Sequence, residues 1–224
     1  MLARLIPLLL LVLTRDGVVH RFDGHHDTTA TFARAIAVAT LSDGRVAVLA
    51  GGRILVDGKP IPGRFDDVRA LAGGASLWTL DAGGVSEVEL TRGRRNLILI
   101  DGHVHLIAAD GAAVFDEDEG TILQIGTPNL WHVDGRPIAM AAGDGKLYVA
   151  TKAGPLVEID RPTSKQHILP IGDWWGTLAL AYGDHALYAV TVAGKLWRID
   201  PRKGEKTIVA MDGWQGAIDL SVLR

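Results

Sequence analysis

The chain has no cysteine, so no disulfide can staple it and no thiolate can hold a metal. It has no surplus of positive charge either. Its 23 basic and 26 acidic residues give a formal net charge of −3, which implies no basic face for a nucleic acid. Charged residues, 22% of the chain, interrupt the apolar stretches before they reach the length of a membrane span, so no membrane partner is expected. Helix-length segments with a 3.6-residue period are missing. So are a nucleophile elbow, a phosphate-binding loop and a dinucleotide fingerprint; Ala50-Gly-Gly52 and Ala72-Gly-Gly74 have no helix after them. No cofactor is expected. Aromatic residues make up only 6% of the chain, but 6 of them are tryptophan, so a recurrent tryptophan position carries weight. An apolar content of 48% excludes a disordered chain.

Short alternating runs of Val, Leu, Ile and Ala fill the sequence, punctuated by Asp-Gly, Gly-Gly and Gly-Lys. These runs repeat. Residues 146–160 read KLYVATKAGPLVEID, 186–200 read ALYAVTVAGKLWRID, and 9–23 read LLLVLTRDGVVHRFD. The N-terminal copy lacks a strand before it, and AIDLSVL at 217–223 is a strand without a partner. A glycine after the second strand marks each unit, at Gly17, Gly52, Gly84, Gly111, Gly154 and Gly194. Residues 1–224 are therefore expected to form one all-β domain, a six-bladed β-propeller whose ring closes by pairing of strand 217–223 with 9–14. Five blades are the runner-up. The 27-residue step from Gly84 to Gly111 leaves the second unit (Val68–Leu71, Leu77–Asp81, Val85–Leu90) room for only three strands. Lys59-Pro-Ile-Pro-Gly63 in the first is poor strand material. The apolar start MLARLIPLLLLVL resembles a secretory signal, but no small-x-small cleavage site follows it. A blade strand is the better reading. It leaves the compartment open, with the cytoplasm slightly favoured and secretion expected if 1–13 is a signal.

The units GKLYVATKAGPLVEIDRPTSK (145–165) and HALYAVTVAGKLWRIDPRKGE (185–205) resemble the repeats of PQQ-type and NHL-type propellers. They are also similar to tectonin-type lectin repeats, which pair a tryptophan with an aliphatic-alanine strand. The resemblance implies the propeller fold. Such families include sugar binders, protein-interaction platforms and quinoprotein dehydrogenases, so it does not choose a function.

Aromatic residues recur just before the innermost strands: Phe32, Phe65, Trp175 beside Trp174, and Trp214. A rim of aromatic faces there could stack on a sugar or on side chains of a partner. The competing reading makes each a wedge between neighbouring blades. Trp131 lies further back from its strand. Two charges interrupt the innermost strands, Arg69 after Val68 and Asp219 after Ile218, against Ala37, Ala139 and Ala179 in aligned copies. They line the channel if that position faces it. His103 and His105, the His25-His26-Asp27 turn and the acidic run Asp116–Gly120 lack the spacing of a metal site, so no metal is expected. The functional expectation is a non-catalytic ligand- or protein-binding module, with a protein or a glycan as partner. Its candidate residues are Phe32, Phe65, Arg69, Trp174, Trp175, Trp214 and Asp219. The alternative is a small propeller enzyme, a hydrolase or lyase, with its site at the channel mouth.

Overall fold

The computed structural model describes residues 9–223 except 24–26, 101–103, 109–112, 117–120, 126, 128, 173, 175 and 212, and the side chains at 99, 100, 104–106 and 113–116. His25, His26, His103, Gly111, Trp175 and most of the acidic run therefore lie outside the described residues, as does the side chain of His105. The chain is an all-β β-propeller, and among the described residues 24 strands lie in six four-stranded sheets. One sheet joins the two ends of the chain: β1 (Leu9–Thr14), β2 (Val18–Phe22) and β3 (Asp27–Thr31), with β24 (Ala217–Leu223) beside β1. The second holds β4 (Ala35–Thr40), β5 (Val46–Ala50), β6 (Arg53–Val56) and β7 (Lys59–Pro60). The third holds β8 (Ala70–Ala72), β9 (Leu77–Asp81), β10 (Gly84–Glu89) and β11 (Arg94–Ile100). The fourth runs β12 (Val104–Ala108), β13 (Ala113–Asp116), β14 (Thr121–Gln124) and β15 (Leu130–His132). The fifth is β16 (Pro137–Gly143), β17 (Lys146–Thr151), β18 (Leu156–Asp160) and β19 (Lys165–Ile168). The sixth is β20 (Thr177–Gly183), β21 (Ala186–Thr191), β22 (Leu196–Asp200) and β23 (Glu205–Ala210).

Leu9 pairs with Leu223 and Leu13 with Asp219, which sets β24 antiparallel beside β1. The inner strands β4, β8, β12, β16, β20 and β24 stand side by side in that order, and β24 also lies beside β4. Two strand expectations change. The third sheet has a fourth strand, β11, which its apolar Leu97-Ile98-Leu99-Ile100 end supports despite the charged start at Arg94-Arg95. The Pro-rich segment of the second sheet keeps only the two-residue strand β7, because proline cannot donate to the ladder.

The core lies between the sheets. Leu10, Val12 and Phe22 of one sheet pack with Tyr188, Val190 and Leu196 of its neighbour. Ala141, Tyr148 and Leu156 pack in the same way with Tyr182, Leu187 and Ile199. Each sheet thus covers its neighbour's apolar face, and burying each Leu or Val contributes about 1.5–3 kcal/mol.

The same staple joins successive sheets. The Phe32 N–H donates to Gly17 O (2.8 Å), Phe65 to Gly52 O (2.8 Å) and Trp174 to Gly154 O (2.6 Å). The aromatic carbonyls then accept from Ala35 (3.1 Å), Val68 (3.2 Å) and Thr177 (2.9 Å), and Trp214 O accepts from Ala217 (3.0 Å). The marker glycines are needed for this. Gly17 has φ +83°, and a Cβ there would sit 2.3 Å from Phe32 O.

Candidate functional site

The staple holds Phe65 and Trp174 close against the preceding sheet. Phe65, Trp174 and Trp214 are only 1%, 4% and 5% exposed, which leaves no ring face for a sugar to stack on. Trp174 packs among Leu156, Leu169, Leu187 and Ile199, edge-on to Trp197 at 5.9 Å, with the Lys206 Nζ 5.3 Å above its ring. Trp214 meets His20 and Phe22 edge-on at 5.0 and 5.7 Å. Trp131 is buried against Met140 and Leu147. Phe32 is half-buried beside the Leu11–Val48 cluster. Trp175 lies outside the described residues.

The inner strands carry a β-bulge near their starts. The register breaks between Ala35 and Ala37, Pro137 and Ala139, and Thr177 and Ala179, leaving Ile36, Ile138 and Leu178 as the extra residues. The pairing of β24 with β1 skips Ile218 in the same way. Val68 donates to Phe65 as Ala35 does to Phe32, so Arg69 takes the place of Ile36 and Ala70 that of Ala37. Arg69 and Asp219 are therefore not equivalent positions. Arg69 is exposed beside the wedge end, whereas Asp219 stands at the alanine position.

Beyond the bulge, the inner strands enclose a cavity of about 460 Å³. Its wall is made by segments 38–42, 71–75, 107–108, 140–142, 180–182 and 219–222, the C-terminal halves of the strands with some of their hairpin turns. Many of these residues are small, among them Ala39, Ala72, Ala108, Ala141, Ala142, Ala181 and Ser221. Small residues let adjacent strands approach. A Cβ on Gly143 would lie 1.9 Å from the Tyr182 ring, and one on Gly183 would lie 2.3 Å from Val222. Gly183 ends β20, and Asp184 (φ +49°) and His185 (φ +56°) turn the chain after it.

Two polar groups mark the wall. Deep in it, Asp219 Oδ2 accepts from the Val38 N–H (2.8 Å) and Oδ1 from the Leu220 N–H (2.9 Å). Burial pushes its carboxyl up to about 7 against the pull of those two amides. Beside it, Thr40 Oγ1 donates to Val222 O (2.7 Å) and lies 2.8 Å from Ser221 Oγ. At the mouth, Asp144 Oδ2 accepts from Tyr182 OH (2.7 Å), with His185 Nδ1 at 2.5 Å and an Arg202 nitrogen at 3.5 Å. The hydrogen bonds from Tyr182 and then His185 hold the Asp144 carboxyl below the usual range. Asp219 was legible as a charge inside an apolar strand. Thr40, Ser221 and the Asp144–Tyr182–His185 group gave no sequence signal, because topology alone brings them together. Among the described residues, no group of three or more His, Asp or Glu side chains could hold a metal, and no helix is long and apolar enough to cross a membrane.

No family model and no curated protein matches the sequence. The fold is shared with solved structures. A chain of a nidogen/laminin complex superposes with TM-score 0.74 at 13% identity, covering 97% of this chain and 98% of that one. A chain from BBS1N in complex with ARL6DN gives 0.59 at 14%, covering 86% and 72%. Streptogramin B lyase gives 0.61 at 14%, covering 92% and 75%. At such identities the likeness is one of fold.

Proposed function

We propose that this chain is a non-catalytic binding propeller, a six-bladed ring closed by β24, that takes a protein or peptide partner at its central cavity. The observation that carries this reading is the cavity itself, walled by all six inner strands and lined at its mouth by hairpin turns. The pairing of Leu9 with Leu223 and the contact of β24 with β4 support the closed ring. Burial of Phe65, Trp174 and Trp214 weighs against a glycan stacked on an aromatic rim. Two propeller-like neighbours were solved as protein–protein complexes, nidogen/laminin and BBS1N with ARL6DN, which favours a protein partner.

A displayed peptide library selected on the wild type and on Ser42→Trp/Ala75→Trp tests it. Both substitutions fall where the cavity meets its turns. Peptides that bind the wild type at least about tenfold better than the variant support the cavity, each tenfold being about 1.4 kcal/mol. Peptides that bind both equally would place the interface elsewhere.

An enzyme is the second reading, favoured by Asp144, Tyr182 and His185 at the mouth and by the left-handed backbone of a non-glycine residue, His185. Against it, among the described residues no serine or threonine hydroxyl hydrogen-bonds to His185, so no nucleophile is activated there. Turnover of an ester, lactone or cyclic peptide that His185→Ala abolishes would establish this alternative.

A further inference from the structure

We propose that the central cavity is a cation site for one ammonium or guanidinium group, with Asp219 as its counter-charge and Ser221 as a second acceptor. This rests on the reading that the cavity is the ligand site, and it names the chemistry the ligand must carry.

The first support is where the carboxylate sits. Asp219 replaces the alanine found at Ala37, Ala70, Ala139 and Ala179 in four of the other five inner strands, with Leu106 at the same register position in β12, so packing at this place is otherwise met by an apolar side chain. Its two amide donors leave each oxygen a further lone pair. Among the described residues no Lys, Arg or His ion-pairs with it. The neighbouring strands β1 and β4 carry no titratable side chain, and β20 and β21 carry only Tyr182 and Tyr188. Across the cavity the other charged lining residue is Asp144, itself negative and engaged by His185 and Arg202.

The second support is the direction of the hydroxyl bonds. Thr40 spends its hydrogen on Val222 O, so in the Thr40–Ser221 contact Ser221 is the donor. Each hydroxyl has one hydrogen, and both are now used. What Ser221 has left is acceptor capacity. The polar wall therefore offers acceptors beside a negative charge, which suits N–H donors carrying positive charge and repels anions. Leu71, Met140 and Leu180 supply apolar wall for the methylene stem of an alkylamine or of a lysine or arginine side chain. Raised by burial to about 7, the Asp219 carboxyl becomes fully ionised when such a cation enters.

Calorimetric titration with n-butylammonium, n-butanol and butyrate tests the proposal. Butylammonium is expected to bind at least about tenfold tighter than its neutral isostere, with no uptake of butyrate. Its affinity should fall about tenfold from pH 8 to pH 6, as Asp219 takes up a proton while the amine stays charged. Asp219→Asn should remove the charge preference and flatten the pH profile. Ser221→Ala should weaken binding a few-fold, which keeps the test open if Asp219→Asn does not fold. A blocked Gly-Lys-Gly peptide set against its norleucine analogue separates the sources. Tighter binding than butylammonium points to a partner's side chain, and weaker binding points to a free small amine. Equal binding of butanol and butylammonium, or a flat wild-type pH profile, would overturn the cation site. If selected peptides still depend on the cavity mouth but carry no lysine or arginine, this proposal fails while the cavity reading stands. If the mouth substitutions affect neither peptide nor amine binding, both fail.

Discussion

The inner strands of this protein are finished differently at their two ends. At the starts, Phe32, Phe65, Trp174 and Trp214 are stapled by backbone hydrogen bonds and pressed between sheets. At the other ends, alanine and glycine let neighbouring strands crowd together around a cavity that keeps Asp219, Thr40 and Ser221 on its wall. The aromatic end is sealed because the rings of Phe65, Trp174 and Trp214 are buried, even though the indole Nε1 groups of Trp174 and Trp214 find no hydrogen-bond partner there. The small-residue end retains unspent acceptors. Recurrence of a large side chain in a repeat protein therefore marks the joint between units, and the informative position is the one where one copy is charged and the rest are apolar, as Asp219 departs from four alanines and Leu106.

The comparison can be broken most severely at its closure. Deleting residues 217–224 removes the inner strand of one sheet and uncovers the cluster around Val12, Tyr188 and Trp214. Loss of the cooperative melting transition is expected, and a truncated chain that melts like the intact one would defeat the closed ring. Next comes the sealed end. Trp174→Ala should cost about 3–5 kcal/mol in chemical denaturation. At the open end, Ser42→Trp/Ala75→Trp should stay within about 1 kcal/mol of the wild type. Reversal of that order would exchange the roles of the two ends.

A third expectation concerns proton linkage at Asp219. Its folded pKa, about 7, is above the unfolded value, so between those values the folded state binds the extra proton and stability falls as pH rises. The wild type should lose about 3 kcal/mol relative to Asp219→Ala between pH 5 and pH 8, measured by urea unfolding at each pH. A constant difference would contradict a carboxyl raised by burial. The smallest effect is expected at Asp144, a partly exposed carboxylate. Its folded pKa is depressed, so its contribution is present above the unfolded value and is lost as pH falls through the folded one. At neutral pH, Asp144→Asn should change stability by less than about 1 kcal/mol.

Much of the ladder was legible in the sequence, and the reasons are local. Strands 146–151, 156–160 and 186–191 stand where the alternation and turn glycines put them. The strand Arg94–Ile100 was missed because its first residues are charged and its apolar half follows without a turn signal. Arg69 was misaligned with Asp219 because Val68 was matched to Ile218, whereas the spacing from the aromatic residue, Phe65 to Val68 as Trp214 to Ala217, puts Arg69 opposite Ile218. The cavity was illegible for a different reason. Its wall comes from six segments spread between residues 38 and 222, each contributing a few small and apolar side chains that read as ordinary strand interior.

Strand β1 is the first described strand of the chain and pairs along its whole length with β24, the last. The hairpins that build the other sheets join neighbours a few residues apart and can form in microseconds. The β1–β24 ladder must instead bring together residues separated by nearly the whole described chain, and that loop entropy is met only after the intervening sheets have shortened the path. Refolding should accordingly end with one late, slower phase in which the first sheet is completed. Until then the edge of β1 and its apolar residues stay open to other chains, so the yield of native protein is governed by how long that last seam takes to zip.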